Sequence, residues 1–194
     1  METTVPTKAS LRNQYKQKRK ELTEKDRLIM DDLILIQFQK LILNDVHSLM
    51  SYWPIKAHME INTLPITDYM LFRIPGLTVS FPRTNFSQTA LPAIEVDKDT
   101  EFEVNHAGIA EPTKGEEVPP SELDMIFVPL LAYDKKGFRV GYGKGFYDRY
   151  LEQCRKDLIK VGFSYFDPEE QIPEVNDFDI PLNLVITPQR IYEF

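Results

Sequence analysis

The run "MIFVPLLAY", Met125–Tyr133, is apolar at almost every position. A strand of this kind has no solvent-facing side, so it belongs in a sheet that is covered on both faces. "LIKVGFSYF" (158–166) and "NLVIT" (183–187) read as further strands in the same half of the chain. Earlier, "VHSLMSYWP" (46–54) and "LTVSFP" are short apolar or β-branched runs that each stop at a proline. Between the strands lie helical patterns. The alternation predicts a three-layer α/β/α sandwich, Rossmann-like, with a largely parallel central sheet. The length of 194 residues fits one domain spanning residues 1–194.

The N-terminal third reads as helices. Lys8 to about Lys20 is basic and free of glycine and proline, which predicts a solvent-facing helix. Thr23 to Asp26 resembles a capping box opening a second helix. Met30, Ile34, Phe38, Leu41 and Ile42 then recur at spacings of three and four, which buries one face. Thr63 to Ile74 is helical and stops at Pro75-Gly76. "AIEVDKDTEFEVN" alternates around a polar turn and predicts a β-hairpin. Residues 108–124 are rich in turn formers and acids and read as a surface loop.

Charge narrows the function classes. The net charge of −7 argues against general affinity for nucleic acid, which needs a broad positive surface. Eight Lys or Arg nevertheless fall between Lys8 and Arg27, against three acids. The single cysteine, Cys154, excludes an internal disulfide and any paired-cysteine zinc spacing, and is expected to pack on its helix, inert. The start of the chain lacks the apolar run of a signal peptide, and no apolar stretch is long enough to span a bilayer. The expected setting is the cytoplasm, and the expected form a monomer with no nucleic-acid or membrane partner.

The segment "GFRVGYGKGFYDRYL", Gly137–Leu151, holds four of the eight glycines, with Arg139, Lys144 and Asp148. It follows the buried strand, where open α/β sheets bind their ligands. Gly141, Gly143 and Gly145 allow positive φ and close backbone approach, so successive amides can form an anion nest. A helix from about Lys144 adds its free N–H groups, and Arg139 and Lys144 add full charges. The Walker pattern and the GxGxxG dinucleotide pattern both fail here, so the glycines alone fit a tight loop as well as a phosphate site. Asp148, in the first turn, is either an acid favoured by the helix dipole or a Mg²⁺ ligand beside the phosphates.

The stretch "VPLLAYDKKGFRVGYGKGFYDRYL" closely resembles the signature of 5-formyltetrahydrofolate cyclo-ligases, also called methenyltetrahydrofolate synthetases. "KASLR" (8–12), "PIKAHMEINT", "FPR" (81–83), "GIAEP" (108–112) and "FDIPLNLVIT" (178–187) fall in that family's order. The resemblance implies conversion of 5-formyltetrahydrofolate to 5,10-methenyltetrahydrofolate with ATP as co-substrate and Mg²⁺. ATP would phosphorylate the formyl oxygen, N10 would close the ring, and ADP and phosphate would leave.

By that resemblance, Lys8 and Arg12 reach the ATP phosphates. Without it, both are a solvated helix face. Arg139 and the backbone through Val140, Gly141, Tyr142, Gly143, Lys144, Gly145, Phe146 and Tyr147 line the nucleotide site, with Arg139 and Lys144 as the catalytic cations. Asp148 and Asp179 match the metal ligands. Glu60 matches the acid that holds the folate, with Ile55 beside it. Tyr142, Gly143, Lys144, Gly145 and Phe146 stand between the two substrates. Trp53 and Phe81 are expected in the core. His58 and His106 are expected to be structural or solvent-facing. Asn183 stands where the family tail commonly has a second acid. Two other readings compete: a different phosphate-site enzyme such as a sugar-phosphate isomerase, and a non-catalytic nucleotide- or RNA-binding protein.

Overall fold

A computed structural model describes residues 6–194. The expectation that the chain opens without a signal peptide rests partly on residues 1–5, which lie outside the described residues. Helix α1, Lys8–Glu21, begins at a reciprocal Thr7–Ser10 capping box. It is not solvent-facing all round. Leu11, Tyr15 and Arg19, one helical turn apart from each other, are buried. Helix α2, Glu24–Phe38, starts at the expected box, in which the Thr23 hydroxyl accepts the Asp26 N–H. Its Ile34 and Phe38 are fully buried. The helix ends at Phe38, so Leu41 and Ile42 lie beyond it and Ile42 is exposed.

The chain continues as β1 (Ser48–Met50), a 3₁₀ turn (Lys56–His58), α3 (Leu64–Arg73) and β2 (Thr78–Pro82). There follow β3 (Ala93–Val96), β4 (Phe102–Val104), β5 (Ala110–Pro112), β6 (Glu117–Val118) and β7 (Met125–Val128). The last third is β8 (Ala132–Tyr133), β9 (Arg139–Val140), α4 (Phe146–Leu151), β10 (Ile159–Phe163), β11 (Leu184–Ile186) and β12 (Ile191–Glu193).

Eight strands form the main sheet in the order β12-β11-β10-β7-β1-β2-β3-β6. The strands from β11 to β2 pair in parallel, and β12, β3 and β6 add antiparallel edges. The parallel strands therefore run out in both directions from β1 and β7. In such doubly wound sheets the carboxyl ends of the two strands flanking the reversal open a crevice.

Strand β7 is fully buried, as its composition demands. Met125 and Phe127 join Ile34, Phe38, Ile66 and Met70 beneath α2 and α3. Ile126 and Val128 join Tyr150 and Leu151 of α4 on the opposite face. Successive strand side chains point to opposite faces, so one four-residue strand supplies both cores. Truncating Phe127 to alanine would cost about 3–5 kcal/mol.

Two expectations fail in the middle of the chain. Strands β3 and β4 do not form a hairpin: β3 pairs with β2 and β6, and β4 pairs with β5. The polar turn is real, with the Thr100 N–H donating to the Asp97 carbonyl, but it redirects the chain to a separate ribbon. The supposed loop 108–124 accordingly contains β5 and β6. No described helix is long and apolar enough to cross a membrane.

Candidate active site

After β7 the chain turns through the β8–β9 hairpin. Buried Asp134 fixes the turn: Oδ1 accepts the N–H groups of Lys136 and Phe138 at 2.9 and 3.0 Å, and Oδ2 accepts that of Ile172 at 2.9 Å. Leu11 and Tyr15 of α1 pack on this hairpin against Leu131, Ala132 and Val140. That contact sets the basic helix beside the glycine-rich segment.

Gly143 and Gly145 adopt φ of +88° and +68°. Either angle would strain a residue with a Cβ. Arg12 Nε donates to the Gly141 carbonyl at 3.0 Å, and Arg149 donates to the Lys144 carbonyl at 2.7 Å. Gly145 is the N-cap of α4, so the helix starts one residue after Lys144's neighbour, at Phe146, and not at Lys144. With six residues its dipole is weak, and the side-chain cations supply most of the positive field.

Two ion pairs border the segment. Arg139 donates to Asp148 Oδ1 at 2.7 Å and to the Ile180 carbonyl. Burial lowers the pKa of Arg139, and the negative charges of Asp148 and Asp179 oppose that shift. Lys8 Nζ donates to both oxygens of Asp179 at 2.8 and 2.7 Å. The Lys8 N–H also donates to Glu174 Oε2, and Asp179 Oδ2 accepts the Asn176 N–H. Lys144 is exposed on the lining of the cleft.

Glu60 lines the same cleft. Met59, in the left-handed region at φ +51°, turns the chain after the 3₁₀ turn. Glu60 Oε2 then accepts the Ile55 N–H at 2.8 Å. Tyr52, Tyr142 and Tyr147 surround the carboxylate. Burial raises all three phenol pKa values, and the charge of Glu60 raises them further. The His58 ring stacks on Tyr142, with centroids 4.9 Å apart. Glu60 and the cations Lys8, Arg12 and Lys144 share one cleft of about 410 Å³, which Gly141–Gly145 also line.

The 5-formyltetrahydrofolate cyclo-ligase family matches residues 4–188. This chain belongs to that family. A curated 5-formyltetrahydrofolate cyclo-ligase of Haemophilus influenzae is 41% identical over 87 residues, 43% of this chain and 46% of that protein. The aligned part thus spans less than half of that relative's length. The Escherichia coli K12 protein of the same name is 34% identical over 140 residues, covering 70% of this chain and 75% of its own. The solution structure of Aquifex aeolicus 5,10-methenyltetrahydrofolate synthetase superposes with a TM-score of 0.80 at 29% identity, covering 96% of this chain and 92% of that one.

In this cyclo-ligase family member, the residues expected from the sequence converge. Lys8, Arg12, Ile55, Glu60, the run Arg139–Asp148 and Asp179 all line the cleft. Phe81 is core, at 5% exposure. Trp53, expected in the core, packs on Phe81 and Phe102 but also reaches the cleft. His58 is exposed as expected, yet it too lines the cleft. Among the described residues no three acids, histidines or cysteines gather as a metal cage. Asp148 binds Arg139 and the Ile180 N–H through Oδ1, which leaves Oδ2 the oxygen directed elsewhere. One open carboxylate oxygen suits Mg²⁺, which takes one or two carboxylates plus phosphate oxygens.

Arg19 and Phe86 were not identified from the sequence. Phe86 meets Phe146 edge-on at 5.8 Å on the cleft wall. Arg19 shares the Leu11–Tyr15 face of α1, and that spacing of four was its one visible signal.

Proposed function

We propose that this chain, as a single-domain monomer, closes 5-formyltetrahydrofolate to 5,10-methenyltetrahydrofolate, using ATP and Mg²⁺. The observation carrying this reading is one cleft lined both by Glu60 with Tyr52, Tyr142 and Tyr147 and by the cations Lys8, Arg12 and Lys144. A fused pterin offers N–H donors to a carboxylate, and a triphosphate needs cations and free amides.

The formyl oxygen is a poor leaving group. Transfer of the γ-phosphoryl group to it breaks the bond to ADP and forms a new P–O bond. The N10 lone pair then attacks the activated formyl carbon, N10 loses its proton, and phosphate leaves with the C–O electron pair. Little of this needs covalent help from the protein, so alignment and charge stabilisation supply the rate.

Glu60 accepts the pterin N–H groups beside Ile55. Tyr142 and Phe146 flank the reacting centre. Lys144 meets the charge spreading over the transferred phosphoryl oxygens. Arg12 and Lys8 hold the remaining phosphates, Lys8 exchanging Asp179 for the nucleotide. Arg139 keeps Asp148 aligned, and Asp148 would hold Mg²⁺. Asp179 is the second acid, once Lys8 has left it. Mg²⁺ when bound neutralises phosphate charge.

The reading is tested by measuring phosphate release from ATP. One phosphate per methenyl product, dependent on both the folate and Mg²⁺, supports it. ATP hydrolysis indifferent to 5-formyltetrahydrofolate overturns it.

A further inference from the structure

Helix α1 buries a charge that the reaction scheme does not use. Arg19 is only 3% exposed. A guanidinium stays ionised in proteins and has donors alone, so it can be buried only where acceptors meet it. It finds two: the Leu130 carbonyl, at 2.5 Å from Nη2, and the Tyr142 hydroxyl oxygen, at 3.1 Å from Nη1. Its Nε has no hydrogen-bond partner among the described residues. Stabilising helix α1 on its hairpin does not require this charge, since Leu11 and Tyr15 already supply an apolar contact.

The direction of the second bond matters. Arg19 can only donate, so the Tyr142 oxygen must accept, and the single phenol proton is turned away from Arg19. Tyr142 and Glu60 line the same cleft. Burial raises the Tyr142 pKa, the charge of Glu60 raises it further, and Arg19 opposes the shift. Tyr52 feels the same two charges with the same opposed signs. Glu60 in turn holds the Ile55 N–H. The stacked His58 ring restrains Tyr142 from its other side.

We infer that Arg19 is a positioning residue for folate recognition: its buried guanidinium fixes the Tyr142 hydroxyl and so holds the phenol in place on the cleft wall that it shares with Glu60. This rests on the reading of Glu60 as the folate-holding acid. Without Arg19 the Tyr142 hydroxyl loses the donor that holds it.

The test is a double-mutant cycle with Arg19→Met and Tyr142→Phe, read as KM for each substrate. Arg19→Met raises the KM for 5-formyltetrahydrofolate by about tenfold or more, the scale of a hydrogen bond with a charged partner, and leaves the KM for ATP unchanged. Helix α1 also carries Lys8 and Arg12, so mere undocking of the helix would raise the ATP KM as well. Equal rises for both substrates would therefore overturn the inference. In the double variant the effects should not multiply, and independent multiplication would also overturn it. If Arg19→Met fails to fold, Arg19→Lys takes its place under the same criteria. A Glu60→Gln variant serves as the control. If Glu60→Gln leaves the folate KM unchanged, the folate reading falls and the inference with it. If Glu60→Gln weakens folate while Arg19→Met does not, only the inference falls.

Discussion

The Lys8 ammonium sits 2.8 and 2.7 Å from the two carboxylate oxygens of Asp179, joining residues 171 positions apart. Both side chains are largely shielded, so the pair retains more of its attraction than a surface bridge would. It ties the start of α1 to the loop before β11.

Asp179→Asn should lower stability by about 1–3 kcal/mol, the scale of a hydrogen-bonded charge pair. Urea denaturation measures this. Lys8→Met in the same background should add little, because the pair is already broken. Full additivity would mean that the two residues act separately.

Lys144→Ala should cut kcat about a hundredfold or more, as expected for loss of a cation at the transition state, without lowering the melting temperature. The side chain is exposed, and the residue's role in the fold is its backbone carbonyl, which holds Arg149. Steady-state kinetics and thermal melting together decide this. Near-normal kcat would remove Lys144 from the chemistry.

Gly143→Ala places a Cβ 3.1 Å from the Arg12 guanidinium carbon, at φ +88°. The strained angle alone costs about 1–2 kcal/mol. Because Arg12 must also shift, the ATP KM should rise while the folate KM changes less. Unchanged kinetics would show that the loop tolerates the side chain.

The strands that build the core were legible because burial is written in composition. A strand with no polar position, such as β7, has only one place in a sheet. Pairing was less legible. Alternation marked both β3 and β4 as strands, but nothing local says that β3 joins β2 and β6 while β4 joins β5. The glycine-rich segment was legible because its chemistry is contiguous. Arg19 was not, because its role depends on Leu130 and Tyr142, 111 and 123 positions away. Within its own helix it is one cation among several.

Burial pushes the Asp31 carboxyl up from 3.8 to about 6, although hydrogen bonds from Tyr165 and the Asn62 backbone pull it down. The folded state then keeps a proton that the unfolded chain releases near pH 4. Its contribution to stability is therefore present at acid pH and is lost as pH rises through 6. Asp31→Asn retains an acceptor for the Tyr165 hydroxyl, 2.8 Å away in the parent. It should stabilise the protein by about 1 kcal/mol above pH 7, allowing for partial solvent screening, with the gain vanishing toward pH 4. Melting curves across that range test the sign, and a gain independent of pH would contradict it.

Alignment of a formyl-folate with a triphosphate in one cleft has a direct optical readout. It is tested most directly by incubating the folded protein with 5-formyltetrahydrofolate, ATP and Mg²⁺ and following the ultraviolet absorbance of the methenyl product. Growth of that absorbance is expected only when all three are present, and its loss in Lys144→Ala. Folded protein that forms no methenyl product with all three components would contradict it.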